Sequence, residues 1–329
     1  MAKDQQKSQK GQQVPDFTED QAREYFEKRR WPHGPCCIHC GSVDVYRLQG
    51  QATRPGLLEC RDCRKQFTVT MGTVMEDTHL PLAQWAKAFH YLTTAKKGMS
   101  ALQLQRNLGI GSYRTAWFLA HRIRLAMSKE PVAGLLKGDV QVDETYVGGK
   151  PRKGHGQPRP KRGRGTNKQA VLVLVETDGK ARSHPIERLD AASLKAAMKE
   201  CIDPSAAIVT DELPSYPKAA AGFAGGHHTV NHGMDEYVNP DGKHTNTAES
   251  YFSLLKRGVY GTFHHISKKH MHRYCDEFSF RWNGRDLEDA ERRDAAVRGA
   301  EGKRIMYKSP IGKSLIEPKD GEQLPFWPE

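Results

Sequence analysis

Apolar positions along the chain recur first at helical spacing and then at strand spacing, and the change falls near Lys137. Residues 1–16 are rich in Gln and Lys, show no periodicity and are expected to be disordered. Thr18 and Gln21 form a capping box that opens a short helix running to Arg30, which Pro32 and Gly34 stop. Short β-like runs follow within residues 36–70, among them Gln66–Thr70. Pro81 then opens a helix in which Leu82, Trp85, Ala86, Phe89 and Leu92 share a face, and Gly98 ends it. Ser100 caps a second helix carrying Leu102 and Leu104. The Leu108–Gly111 stretch turns the chain, and Ser112 caps a third helix with Ala116, Ala120, Ile123 and Met127 inward.

Beyond Lys137, Val140–Val147 alternates as a strand and Ala170–Val175 reads as a continuous apolar strand. Asp178-Gly179 is a hairpin turn into a third strand near Ala181–Arg188. Asp190 caps a helix reaching Cys201, Ala206–Thr210 is a buried strand ending at Asp211, a short helix follows Pro214, and His227–Val230 is a weak fifth strand. Residues 248–260 and 267–282 are helical by the same spacing. This order predicts an α/β chain whose main domain is a ribonuclease-H-like mixed sheet flanked by helices. The expected boundaries are a disordered tail at 1–16, an N-terminal helix and cysteine-bearing ribbon at 17–78, a helical segment at 79–130, the sheet domain at 136–285, and a C-terminal helix and tail at 286–329.

Charge narrows the choice of partner. The 329 residues hold 51 Lys and Arg against 39 Asp and Glu, a net charge of +12, which favours a polyanion such as double-stranded DNA. There is no apolar run of about 20 residues and no secretory leader, so neither a membrane span nor export is expected. A cytoplasmic, nucleoid-associated location follows as an expectation. The seven cysteines are an odd number, and four of them fall in two C-x2-C pairs. In such a setting that pattern points to metal rather than to disulfides.

Cys37-x2-Cys40 and Cys60-x2-Cys63 stand nineteen residues apart, which suits four thiolates around one structural Zn²⁺; buried or redox-active thiols are the alternative. Cys36 and His39 adjoin the first pair, so one ligand can be exchanged on sequence grounds. Cys201 and Cys275 read as small core residues. The two helices of residues 100–127 resemble a helix-turn-helix, in which Tyr113 and Arg114 open the second helix toward DNA and Arg122 and Arg124 reach phosphates; a packing module is the alternative. Residues 150–168 hold eight Lys or Arg and no acid, and Lys161, Arg162 and Arg164 are expected along DNA.

Position sorts the acids. Asp143 lies in the first strand of the sheet domain, Asp211 ends a buried strand, and Glu249 starts an amphipathic helix. Lys256 follows Glu249 by seven residues, two helical turns, and so lies above it. Three carboxylates brought together repel unless cations lie between them, and two Mg²⁺ (or Mn²⁺) ions suit oxygen ligands and phosphoryl transfer. Lys256 and Arg257 would then meet DNA phosphates. Glu144 alternates to the other strand face and is not expected as a ligand.

These residues carry a resemblance. Val142-Asp143-Glu144-Thr145-Tyr146-Val147-Gly148-Gly149-Lys150, Val209-Thr210-Asp211-Glu212, and Asn246-Thr247-Ala248-Glu249 through Lys256-Arg257-Gly258 with Tyr260-Gly261-Thr262-Phe263-His264-His265 resemble the three motifs of a bacterial insertion-sequence DDE transposase group. That group joins an N-terminal zinc ribbon to an integrase-like catalytic domain, and the likeness spans roughly residues 17–310. It implies transposition: nicking at the ends of the element, then attack of the freed 3′-hydroxyl on target DNA, with a homo-oligomer at synapsis. Some members of the group carry Asn at the third position. Asn246 stands one turn before Glu249, but the offset to Lys256 selects Glu249 and leaves Asn246 as a helix cap. His264 and His265 match the group as DNA contacts or packing residues. A ribonuclease-H-like nuclease that does not join strands, and a catalytically silent zinc-ribbon DNA-binding protein, are the alternative readings.

Overall fold

The computed structural model describes residues 14–128, 134–148, 168–177, 179–230 and 242–308, which form two compact units. The first comprises residues up to 95, 99–130 and those from 287 onward; the second comprises 96–98 and 131–286. The basic stretch with Lys161, Arg162 and Arg164, Asp178 of the hairpin turn, and the tails before residue 14 and after 308 lie outside the described residues.

The first unit opens with helix α1 (Glu19–Arg30), capped as its sequence dictates: the Thr18 hydroxyl accepts from Gln21 N–H, and the Gln21 side chain accepts from Thr18 N–H. A three-stranded antiparallel ribbon follows, β1 (Val45–Arg47), β2 (Leu58–Cys60) and β3 (Gln66–Phe67). Helices α2 (Leu82–Thr94), α3 (Ala101–Leu108) and α4 (Tyr113–Met127) complete the N-terminal part. Pro81 is the residue before α2 rather than its first turn, and the helix ends at Thr94, short of Gly98. Ser100 caps α3 through Gln103 N–H, and Gly109 closes it in the left-handed conformation at φ +64°. Ser112 precedes α4 without a side-chain cap bond. From the far end of the sequence, α9 (Asp289–Arg298) returns to this unit and packs on α2, α1 and α4.

The start of α4 is open, with Tyr113 and Arg114 exposed. Arg122 and Arg124 are not. They are 6% and 2% exposed, which corrects the expectation that they reach DNA phosphates. Arg122 donates to the carbonyl oxygens of Val74 and Glu76 and stacks its guanidinium over Trp85 and Phe118. A long side chain on a helix whose buried face is this wide serves as a clamp within the unit, its stem in apolar surroundings and its head on carbonyls.

In the second unit, a five-stranded sheet has the order β6-β5-β4-β7-β8, with β4 at Asp139–Val147, β5 at Gln169–Glu176, β6 at Ala181–Ile186, β7 at Ala207–Thr210 and β8 at His227–Thr229. The first three pair antiparallel as a meander, while β7 and β8 run parallel to β4 and to each other. The sequence alternation explains the layering. Val140, Val142, Leu172 and Leu174 face α5 (Ala191–Cys201) and α6 (Tyr216–Ala220), whereas Val147, Val171, Val173 and Val175 face α7 (Asn246–Gly258) and α8 (Met271–Asn283). This is the ribonuclease-H-like mixed sheet that the order of elements predicts. No helix among the described residues is long and apolar enough to cross a membrane.

Candidate active site and metal centres

Among the described residues, two groups of side chains are arranged to hold a metal ion. The first is Cys37, Cys40, Cys60 and Cys63. Cys37 Sγ lies 3.6 Å from Cys63 Sγ, and Cys40 Sγ lies 3.6 Å from Cys60 Sγ. A disulfide would require about 2.05 Å, whereas sulfurs bound at about 2.3 Å to one tetrahedral ion stand about 3.8 Å apart. The set fits a zinc ion. Both knuckles are built by backbone: Gly41 N–H donates to the Cys37 carbonyl at φ +79°, and Arg64 N–H donates to the Cys60 carbonyl at φ +58°. His39 N–H also points at Cys37 Sγ, 3.4 Å away. Cys36 and the His39 ring do not join the cluster; the ring instead meets Phe67 edge-on. Cys201 and Cys275 are buried core residues, as expected.

The second group is Asp143, Glu144 and Asp211, which offer carboxylate oxygens all within 4.8 Å of one another. The sheet register explains the convergence. The last pair between β4 and β7 is Val142 with Thr210, so the next residue on each strand, Asp143 and Asp211, sits where β7 has ended beside a β4 that continues. The crevice at the carboxyl ends of parallel strands is where such sheets gather functional groups. Asp211 is turned into it by accepting the Leu213 N–H at 3.1 Å. Oxygens sharing one small divalent cation lie about 3–4 Å apart, so a slight closure of this trio suffices.

Glu144 points to the α6 face, as alternation predicts, and its Oε2 accepts the Tyr216 hydroxyl at 2.8 Å. At the open end of β7 a carboxylate oxygen of Glu144 nonetheless lies within 4.8 Å of those of Asp143 and Asp211, so its face alone does not keep it away from them. Tyr216 is fully buried, and burial, reinforced by the Glu144 charge, pushes its hydroxyl well above the usual value. It therefore stays a donor and holds Glu144 in place.

Glu249 is exposed on the first turn of α7 and lies outside the trio. It is nonetheless near enough for its charge to act on Asp143. The Asp143 carboxyl is pushed up to about 7, first by burial and then by the charges of Glu144, Asp211 and Glu249, against the opposing hydrogen bond from Glu144 N–H at 2.7 Å. Lys256 is exposed two turns further on, its ammonium 5.6 Å from the Phe252 ring, and Arg257 is exposed beside it. Asn246 is the first helical residue of α7, and Thr245 occupies the cap position expected of Asn246.

Gln141, which the reading of the sequence passed over, fixes this geometry. Its buried amide accepts the Ala248 N–H of α7 at 3.0 Å and donates toward Thr247, Thr177 and His244, each at 3.2 Å. It lies two residues before Asp143, on the same strand face, and satisfies one of the orphan donors at the α7 N-terminus. Glu249 is thus tied to Asp143 through a single side chain. A polar residue inside an apolar strand was the available clue, because a buried amide requires partners from a neighbouring element.

Comparisons with known proteins match the two parts of the chain that carry these groups. Residues 135–283 match the ISXO2-like transposase domain, and residues 17–66 match the transposase zinc-ribbon domain. A curated relative from Halobacterium salinarum, described as an uncharacterized protein in transposable element ISH50, is 28% identical over 275 residues, covering 80% of this chain and 90% of the relative. Among solved structures, a pre-cleavage Mos1 transpososome is 15% identical with a TM-score of 0.22, covering 68% of this chain and 80% of that one. The Mos1 strand transfer complex is 14% identical with a TM-score of 0.23, covering 65% and 77%. Structural likeness at that level carries no weight here.

Two outcomes follow from the geometry. Elemental analysis of the purified protein should find one zinc per chain, and replacing Cys40 and Cys63 by Ser should remove it and unfold the ribbon; a zinc-free protein with an ordered ribbon would contradict the four-thiolate site. Because the Asp143 carboxyl lies above its ordinary 3.8 in the folded chain, its charged form is disfavoured there. Stability without added divalent cations should therefore fall as pH rises from about 4 through about 7. Asp143→Asn should remove this penalty, making the cation-free protein about 2–4 kcal/mol more stable at pH 8 and no more stable at pH 4. A thermal melt at pH 8 in which the wild type matches the variant would refute the burial of that charge.

Proposed function

The chain belongs to the insertion-sequence transposase family that joins a zinc ribbon to a DDE domain, and on that premise we propose that it cuts DNA at the ends of its element and joins the freed ends to target DNA. The observation that carries the reading is the convergence of Asp143 and Asp211 at the open end of β7, with Glu249 close enough for its charge to reach Asp143. We assign these three acids as the ligands of two Mg²⁺ or Mn²⁺ ions. Glu144, held by Tyr216, adds negative charge beside them.

Bound at this site, the cations would stabilise the attacking and leaving oxygens of an in-line displacement. The chain's own part is to hold the acids in one rigid frame and to place the DNA. Asp143 must give up its proton before it can act as a ligand, so raising the pH through about 7 favours the competent form. Lys256 and Arg257 offer positive charge to phosphates two turns along α7 from Glu249. In cleavage, a water oxygen bonds to phosphorus and the bond to the 3′-oxygen breaks, leaving a 3′-hydroxyl. In joining, that 3′-oxygen bonds to a phosphorus of target DNA and a target 3′-oxygen leaves. Each step forms one P–O bond and breaks another at one phosphorus, and the departing 3′-oxygen takes up the proton that the attacking oxygen loses.

Tyr113 and Arg114, exposed at the open start of α4, suit contact with the terminal repeats, and bringing two ends together calls for more than one copy of the chain. The ribbon, with its closed set of thiolates, suits a structural ion.

The test uses duplex DNA carrying the sequences that flank the coding frame, with Mg²⁺ and a circular target. The wild type should nick the flanking DNA, leave a 3′-hydroxyl and produce joined target molecules. Asp143→Ala and Asp211→Ala should each lower cleavage by at least about 1,000-fold while retaining DNA binding. Cleavage without joined product would instead favour a nuclease, and Mg²⁺-dependent cleavage by either variant would overturn the assignment.

A further inference from the structure

The end of α7 has a shape that the arrangement of the acids does not require. After Gly258 the helix widens into a π-helical turn, Val259–Phe263, and His264 follows at φ +58°. Such a turn shifts the aim of every side chain after it, and an unusual backbone of this kind is commonest where the altered aim is used. Here it leaves Tyr260 52% exposed among Lys256, Arg257, His264 and His265, all exposed too.

A second segment is fitted against this turn. A Cβ on Gly98 would stand 2.6 Å from Phe263 Cζ, and one on Gly258 would stand 3.0 Å from the Lys97 carbonyl oxygen and 2.1 Å from Phe278 Cζ. Gly258 needs to be glycine because the Phe278 ring and the Lys97 carbonyl crowd it, and Gly98 because the Phe263 ring closes over it and its φ is +83°. The approach sets the exposed Lys96 and Lys97 beside the end of α7, and the exposed Lys268 follows the π turn in the chain, at the start of the short turn that leads into α8.

The charge of this ridge is one-sided. Residues 256–270 contain four Lys or Arg and three His but no Asp or Glu. The Glu277 carboxylate does lie behind Gly98, but it is fully buried and paired with Arg281; Lys243 with Asp139, Arg188 with Asp190 and Arg285 with Asp286 are further ion pairs of the unit among the described residues. A run of exposed cations with an exposed tyrosine hydroxyl among them suits a regular polyanion, since Lys, Arg and Tyr all donate to phosphate oxygens. Lys256 stands about 10 Å along the helix from Glu249, so the ridge leads directly away from the carboxylates.

We propose that Lys96, Lys97, Lys256, Arg257, Tyr260 and Lys268 form the track for the phosphate backbone of the duplex being cut, which deepens the transposase reading and rests on it. The scissile phosphate lies at the acids, and the continuing backbone passes over the π turn between the Lys96–Gly98 segment and Lys268.

The experiment compares Lys96→Ala/Lys97→Ala/Lys268→Ala with a control of equal charge, Lys195→Ala/Lys199→Ala/Lys218→Ala, whose positions lie on α5 and α6 against the opposite face of the sheet. Binding of each full-length protein to a linear duplex of arbitrary sequence is measured across a salt series. Each lost phosphate contact flattens the log–log slope by about 0.9, so the ridge variant should lose about 2–3 from the slope while the control keeps the wild-type value. An unchanged slope in the ridge variant, or an equal loss in the control, overturns the proposal. Lys268→Ala alone, at an exposed position, should lose about 1 from the slope and serves if the triple variant does not fold. The measurement needs no chemistry. A protein that cuts and joins but shows no ridge-dependent slope defeats the track alone, and one with the slope change but no cleavage defeats the transposase reading alone.

Discussion

Carboxylates held within a few ångströms of one another in a partly dry crevice repel, and the second unit is built to hold them there. The repulsion is visible in Asp143, whose proton is retained up to about 7 by burial and by three neighbouring acids. The Glu144 N–H relieves it only in part. The frame around the trio bears the cost: β4 is paired along its full length with β5, and valines and leucines fill both faces of the sheet. A rigid frame that stores repulsion in this way gains most when a divalent cation arrives, because binding then relieves a cost already incurred on folding.

That constraint organises the surrounding elements. The early end of β7 creates the opening, and the parallel register of β4 with β7 sets Asp143 beside Asp211. Gln141 joins the first turn of α7 to the strand that carries Asp143, so the distance from Glu249 to the trio is fixed by a buried amide rather than by a loop. Tyr216 does the same for Glu144 from the other face. Asp143 and Asp211 accept the nearby backbone N–H groups of Glu144 and Leu213, so these partners of the three acids are all neutral.

Much of this was readable from the residues. The Thr18–Gln21 box, the two C-x2-C pairs and the order of strands and helices each rest on local rules, and local rules survive folding. Asp211 was readable because the apolar run of its strand stops just before it, and Asp143 because it is an acid inside the alternating first strand. The face of Glu144 was readable by alternation, but its closeness to Asp143 and Asp211 was not, because it depends on β7 ending beside β4. Arg122 and Arg124 were assigned by charge, yet the wide buried face of α4 took both inward, and the Val74 and Glu76 carbonyls hold Arg122 there. The packing of α9 on α2, more than 190 residues earlier, and the role of Gln141 depend on contacts that no window of sequence contains.

The claim that everything rests on is that divalent cations, bridged by the β4 and β7 acids, touch the phosphate that reacts. The most direct measurement replaces a non-bridging oxygen of the scissile phosphate by sulfur and compares cleavage in Mg²⁺ with cleavage in Mn²⁺. Direct coordination predicts that one of the two phosphorothioate isomers is cut far more slowly than the oxygen substrate in Mg²⁺ and recovers in Mn²⁺, which accepts sulfur more readily. Equal rates for both isomers in both metals would mean that no cation contacts the reacting phosphate, and the two-metal account would fail.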